Sequence, residues 1–156
     1  TLQGLLESTS FVTPSVKKEI QESVFVAGEN LLMSFEKRKR KGPNSTPELL
    51  YGEYDENWKS NADFSCMTGN CQIAIVWMDI YKYSDDIRFL NASLKLLDVV
   101  MTKQNIKTNF IGINGAMMGS FPIWGRYKPF NYPNWAAKYF IDAMLKRKLA
   151  LEDLRQ

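Results

Sequence analysis

Apolar residues recur at helical spacing over four stretches of the chain, and these stretches are of two kinds. Two of them carry one apolar stripe on an otherwise polar helix, which predicts an outer helix with one buried face. The first begins at Thr13-Pro14, a capping side chain followed by proline, and is predicted to end near residues 41–43. Its stripe comprises Val16, Ile20, Val24, Ala27, Leu31 and Phe35. The other runs from about Asp85 to Lys103, with a stripe of Ile87, Leu90, Leu94, Leu97 and Met101.

The remaining two stretches are apolar on nearly every side. They run from Asn70 to about Tyr83 and from Trp135 to about Arg147. A helix that is apolar all round is buried all round, so both are predicted to be inner helices. Residues 2–6 could be the tail of a preceding inner helix. The pattern therefore predicts an all-α fold in which inner and outer helices alternate.

Two long connections, residues 42–68 and 104–133, each lead from an outer helix to an inner one. Both are rich in aromatic residues, which favours ordered structure over disorder. In an alternating antiparallel arrangement, both loops and both inner-helix N-termini lie at the same end of the protein. We therefore expect the functional site on that surface. The aromatic residues are Tyr51, Tyr54, Trp58, Phe64, Phe110, Phe121, Trp124, Tyr127, Phe130 and Tyr132.

The composition adds mainly one observation to this picture, the absence of histidine. The chain has 156 residues, a net charge of +3 and no histidine. This excludes a histidine-dependent nucleophile, a histidine-ligated zinc and a histidine general base within these residues. No phosphate-binding glycine pattern is present, and two cysteines make a poor metal site, so we predict neither cofactor nor metal. No apolar run is long enough to span a membrane, and the compartment stays open, with the cytoplasm favoured.

The basic run at residues 37–41 is interpreted as a solvated helix end, where cations are favoured. Its rival interpretation, a nucleic-acid patch, lacks support from the mild total charge, so no nucleic-acid partner is predicted.

Candidate chemistry concentrates in the two loops. Paired carboxylates can cleave glycosides without histidine, and Asp55 and Asp63 are the candidate catalytic residues. The alternative is that they are solvated loop charges or capping partners. Asn70 and Gln72, at the start of one inner helix, and Asn134, at the start of the other, could hold sugar hydroxyls or could serve as caps. Further candidate substrate-binding residues are Trp58, Trp124, Arg126 and Tyr127, which offer stacking platforms and a cation.

Two segments carry a family resemblance. Residues 66–77, CMTGNCQIAIVW, and residues 119–140, GSFPIWGRYKPFNYPNWAAKYF, resemble the C-terminal part of a little-characterised bacterial (α/α) toroid family. The wider architecture includes six-hairpin glycosidases and terpenoid cyclase and prenyltransferase-like proteins. Members of the resembled family tend to accompany polysaccharide or surface-glycan genes. The resemblance implies a partial (α/α) toroid and a carbohydrate-related context, with no catalytic assignment to transfer.

We therefore expect residues 1–156 to form a single toroid-like domain, a C-terminal fragment of a longer chain. A closed toroid needs about twice this length, so either an N-terminal half is missing or the chain self-associates. The expected function is carbohydrate-related, with a glycan or small-molecule ligand, and with hydrolase, lyase and epimerase as candidate activities. The alternative is a non-catalytic binding or scaffold domain. Whether the chain is an enzyme stays open.

Overall fold

A computed structural model describes residues 2–38 and 48–154, and within these ranges the chain is mainly helical, as predicted. The helices are α1 (Leu2–Ser8), α2 (Pro14–Lys37), α3 (Met67–Ser84), α4 (Ile87–Met101) and α5 (Asn134–Asp153), with a 3-10 turn at Thr9–Phe11. Four two-residue strands lie in the loops: β1 (Ser65–Cys66), β2 (Gln104–Asn105), β3 (Ala116–Met117) and β4 (Ser120–Phe121). Antiparallel pairs join β1 to β4 and β2 to β3.

Helix α3 is the centre of the fold. Helices α1, α2, α4 and α5 all pack against it, which is why its sequence has almost no polar face. The sequence prediction of a helix buried all round is confirmed here. Its buried side chains are Met67, Thr68, Asn70, Cys71, Ala74, Ile75, Val76, Trp77, Met78 and Ile80.

Hydrogen bonds between distant parts of the chain show how the helices are arranged. The Trp77 indole Nε1 donates to the Gly28 carbonyl at 3.1 Å, and the Tyr83 hydroxyl donates to the Gln21 carbonyl at 3.1 Å. The later residue of α3 contacts the earlier residue of α2, so these two helices are antiparallel. The Met67 N–H donates to the Gly119 carbonyl and the Gly119 N–H donates to the Asn131 carbonyl, each at 3.0 Å, so the first residue of α3 lies close to the segment that leads into α5. The N-termini of α3 and α5 thus lie at one end of the protein.

The outer helices follow the predicted pattern with two corrections. Helix α2 begins as expected: the Thr13 hydroxyl accepts from the Val16 N–H at 3.5 Å, and Pro14 is the first helical residue. It ends at Lys37, and the predicted stop at residues 41–43 lies outside the described residues. In α4 the buried face is rotated from the predicted stripe, because Ile87 is exposed while Phe89, Ser93, Leu96 and Val100 are buried.

The prediction that α5 is mostly buried is wrong. Its buried residues are Ala136, Phe140, Ala143 and Ala150, all on the face that meets α3. Ile141, Leu145 and Leu149 are 55%, 58% and 55% exposed. The apolar character of α5 is real, but the described chain covers only one of its faces.

Replacing Gly28 by valine should destabilise the fold. A Cβ at Gly28 would lie 2.3 Å from Ile80 Cδ1 and 3.5 Å from Phe89 Cε1, so α2 approaches α3 closely at this point. Overpacking of this kind costs about 1–3 kcal/mol, more than the few tenths by which valine improves on glycine in a helix. Denaturant-induced unfolding measures the loss.

Gly4→Val in α1 is the matched control, because nothing lies within 4 Å of a Cβ at that position. The free energy of unfolding should change by less than about 0.5 kcal/mol there. Equal losses at the two glycines would contradict the close approach of α2 to α3.

Candidate functional site

The two long loops meet at the end of the fold where α3 and α5 begin, as the sequence predicted. Strand β1 from the first loop pairs with β4 from the second, with Ser65 opposite Phe121 and Cys66 opposite Ser120. The Met67 N–H also donates to the Gly119 carbonyl at 3.0 Å. Residues 42–47 of the first loop lie outside the described residues.

Phe64 packs between the two loops and requires glycine on both sides. A Cβ at Gly52 would lie 2.1 Å from the Phe64 ring, and a Cβ at Gly125 would lie 2.6 Å from Phe64 Cβ. Phe64 itself is buried, so this packing holds the loops together from inside. The surface that they form is therefore built on a fixed internal contact.

Asn70 supports this loop arrangement rather than facing a ligand. Its side chain is 1% exposed, its Oδ1 accepts from the Leu50 N–H at 2.8 Å, and its Nδ2 donates to the Cys66 carbonyl at 2.7 Å. The predicted capping role is also wrong, because Cys66 is the N-cap of α3 and its Sγ accepts from the Gly69 N–H at 3.3 Å. A buried amide with both ends bonded to backbone is not available to a sugar.

The two other amides of the predicted set lie at the helix starts. Asn134 is the first residue of α5 and is exposed, and no side-chain hydrogen bond caps that helix, whose N-cap is Pro133. Gln72 is half-buried in the first turns of α3. The two asparagines at the inner-helix starts therefore differ, because Asn70 is internal and Asn134 is on the surface.

Asp55 and Asp63 are both exposed. One oxygen of Asp55 accepts from the Asn57 N–H at 2.9 Å and from the Lys59 N–H at 2.8 Å, so the carboxylate shapes the turn at residues 55–59. Asp55 and Asp63 share no hydrogen-bond partner among the described residues. The turn accounts for the position of Asp55, and a catalytic role for either residue stays a prediction.

Several predicted residues of the second loop do come together. The Arg126 guanidinium forms an ion pair with Glu53, which bridges the two loops. The Trp135 indole donates to the Tyr127 hydroxyl at 2.9 Å, and Lys128 Nζ lies 5.5 Å from the centre of the Trp135 ring. Trp124 is 56% exposed. This surface is therefore aromatic and open to solvent.

A groove of about 280 Å³ lies between α2 and the first loop. Trp58, one of the predicted platforms, lies at this groove, and Tyr51 lines it as a second aromatic side chain. Two of the described lining residues are cationic and none is acidic. The lining residues are Asn30, Met33, Ser34, Lys37, Arg38, Tyr51 and Trp58.

Arg38 is the residue that the sequence analysis missed. It is half-buried rather than solvated: its guanidinium lies 4.0 Å above the centre of the Tyr51 ring and donates to the Ser65 hydroxyl at 3.2 Å. Burial lowers its pKa, while the nearby tyrosines raise it. A signal was present, because Arg38 continues the buried spacing of Leu31 and Phe35 on α2. Lys39, Arg40 and Lys41, the rest of the basic run, lie outside the described residues.

Tyr54 connects two of the residues that line this groove. Its hydroxyl accepts from the Ser34 hydroxyl and from the Tyr51 N–H, each at 3.2 Å. Burial raises the pKa of Tyr54, so the phenol stays protonated at neutral pH. The hydroxyl therefore joins α2 to the first loop directly behind Tyr51.

The loops contain three residues with strained backbones. Trp58, Lys128 and Phe130 have φ angles of 58°, 53° and 56°, a region that bulky side chains rarely adopt. Such strain is concentrated at functional sites in proteins generally. Its presence in both loops favours this end of the fold as the site.

Other chemistries find less support among the described residues. Burial raises the pKa of both thiols, that of Cys71 to about 12, so neither is an activated nucleophile. Residues 2–38 and 48–154 contain no group of three or more His, Cys, Asp or Glu side chains placed to hold a metal ion. No helix in these ranges has the length and hydropathy needed to cross a bilayer.

Comparison of the chain with models of known protein families, with curated proteins and with solved structures gave no match.

Replacing Asn70 by alanine should destabilise the protein markedly. The change leaves a buried backbone N–H at Leu50 and the Cys66 carbonyl without their side-chain partner. Each unsatisfied buried group costs about 1–3 kcal/mol, so we expect a loss of roughly 2–4 kcal/mol in the free energy of unfolding. Thermal and denaturant-induced unfolding would measure it.

Asn134→Ala is the matched control at the other predicted cap. Because no side-chain bond caps α5, its effect should be below about 0.5 kcal/mol. The account of Asn70 would be refuted by a similarly small effect at position 70.

Proposed function

We propose that this chain is a carbohydrate-related domain that binds a glycan containing acidic sugars in the groove between α2 and the first loop. The observation that carries the proposal is the lining of this groove: Tyr51 and Trp58 are aromatic, Lys37 and Arg38 are cationic, and no described lining residue is acidic. This combination suits a flat, partly apolar ring that bears a carboxylate.

The aromatic residues would supply contact area with the sugar ring. Tyrosine and tryptophan offer large, rigid faces, and a polar atom at the edge of each can bind water or hydroxyl groups. Trp58 is held in a strained conformation within the turn that Asp55 shapes. Its side chain also packs against the hydrophobic core, so its position is set before any ligand arrives, which reduces the entropy cost of binding.

The polar residues would supply selectivity. Asn30 Nδ2 donates to the Val26 carbonyl at 2.8 Å, and its Oδ1 has no protein partner in the described part of the chain, so it can accept from a sugar hydroxyl. Lys37 is exposed and can approach a carboxylate from solvent. Arg38 adds positive potential at the back of the groove.

Catalysis is a separate step of the proposal. Hydrolysis, elimination or epimerisation of the bound glycan would need acid and base groups, for which Asp55 and Asp63 remain the candidates from sequence. The hydrogen bonds of Asp55 to the turn favour the non-catalytic alternative, in which the domain only binds. If the domain is a partial toroid that shares its site with further helices, it could be either a catalytic domain or a domain that only binds the glycan.

Replacing Trp58 by glycine should remove most of the glycan binding without straining the backbone at residue 58. Glycine adopts a φ of 58° freely, so the variant removes the ring and relieves the backbone. We expect the affinity for an oligouronate, measured by calorimetric titration, to fall by about tenfold or more, equivalent to roughly 1.4 kcal/mol.

Phe130→Gly is the matched control, because Phe130 has a φ of 56° in the second loop and lies outside the groove. It should bind as the wild type does. Loss of binding in Phe130→Gly or in Trp124→Ala, with Trp58→Gly unaffected, would move the site to the second loop and contradict the proposal.

The charge of the ligand provides an independent prediction. Lys37→Gln should weaken oligouronate binding several-fold and should leave any binding of a neutral oligosaccharide of equal length unchanged, because only the charged ligand uses the cation.

A single-stranded oligonucleotide is the critical competitor for this test, since cations beside aromatic rings also suit nucleic acids. Tighter binding of the oligonucleotide than of the oligouronate would overturn the glycan assignment.

A further inference from the structure

The outer face of α5 is apolar, although no described part of the chain covers it. Ile141, Leu145 and Leu149 follow each other at four-residue spacing and are each more than half exposed. They lie on the side of the helix opposite Ala136, Phe140 and Ala143, which face α3. Three large aliphatic side chains in one row are more than the scattered exposure that soluble surfaces normally show.

Two ion pairs border this row, one at each end. Lys138 pairs with Asp142 at 2.6 Å, and Lys148 pairs with Glu152 at 3.9 Å. Each pair is solvent-accessible. Of these four charged residues, Lys138 and Glu152 lie closest to the line of the row around the helix, and Leu145 is at the midpoint between them.

We propose that this face is the interface of a homodimer in which α5 packs antiparallel to α5 of a second copy, with the two-fold axis at Leu145. Leu145 then meets the Leu145 side chain of the second copy, and Ile141 meets Leu149. The same operation places Lys138 opposite Glu152 at both ends of the interface. One patch thus complements itself in both apolar and charged positions, as a two-fold interface requires.

The aliphatic row and the charges of Lys138 and Glu152 together select this register over its neighbours. Sliding the second helix by one turn in either direction would offset Lys138 from Glu152 and would leave either Leu149 or Ile141 opposite a residue outside the row. A parallel pairing would place every charged residue beside its own copy. Only the antiparallel arrangement centred on Leu145 both pairs all three aliphatic residues and places Lys138 opposite Glu152.

The size of the patch predicts a weak dimer. Stable complexes bury about 1,200–2,000 Å² in total, and one helix face per subunit supplies the lower part of that range or less. We therefore expect association at micromolar or higher concentration. The interface is formed by α5, away from the groove that Trp58 lines, so the dimer does not depend on the proposed glycan site.

Sedimentation velocity over a concentration series up to about 1 mM tests the wild-type chain. The expected result is a concentration-dependent shift from monomer to dimer, with no larger species. A chain that remains monomeric throughout, or that forms an open series of larger oligomers, overturns the proposal.

Two reciprocal charge variants test the geometry. Lys138→Glu places glutamate opposite Glu152, and Glu152→Lys places lysine opposite Lys138, so each variant alone should self-associate at least about tenfold more weakly. An equimolar mixture should form a heterodimer, because both cross-helix pairs then have opposite charges. Circular dichroism confirms that each variant is folded.

The mixture separates this interface from general stickiness or a loss of helix stability. Each variant loses one ion pair within α5, and mixing does not restore either of those pairs. Recovery of dimer in the mixture therefore reports contacts between helices. A mixture that associates no better than the two separate variants, or single variants that dimerise as the wild type does, overturns the antiparallel assignment.

Discussion

The structure depends on the burial of α3 on all of its sides. A helix with fully buried residues such as Trp77, Ile80 and Met67 around its circumference loses its hydrophobic stabilisation wherever a neighbour is missing. The remaining helices are therefore arranged around it. The close approach at Gly28 shows that α2 packs tightly against it.

This arrangement also decides where chemistry can occur. Because α3 and α5 begin at the same end, the loops that lead into them converge there and pair through β1 and β4. Internal groups hold the loops: Phe64 packs against two glycines, and the Asn70 amide bonds to backbone on both sides. The outward residues Trp58 and Arg38 line a groove beside this internally held framework.

The sequence predicted the helical fold, the capping of α2 at Thr13 and the convergence of the loops, because periodicity and proline position report local geometry. It did not predict that α5 would be half exposed. The apolar residues of α5 predict that its surface is buried, but they do not show whether this chain or another one buries it. The face of α4 was misplaced because Ser93, which is polar but bonded to the Ala74 carbonyl at 3.0 Å, is buried like an apolar residue. Arg38 was missed for the converse reason, because a charge is counted as exposed unless its partners are known.

The most direct test of the glycan groove is a nuclear magnetic resonance titration of the four tryptophan indole N–H signals with an oligouronate. Trp58 lines the groove, Trp77 is fully buried, and Trp124 and Trp135 belong to the second loop and the start of α5. The account predicts that the Trp58 signal shifts saturably while the Trp77 signal stays fixed and those of Trp124 and Trp135 change little. A titration that moves Trp124 or Trp135 and leaves Trp58 unchanged, or that moves none of the four, would contradict it.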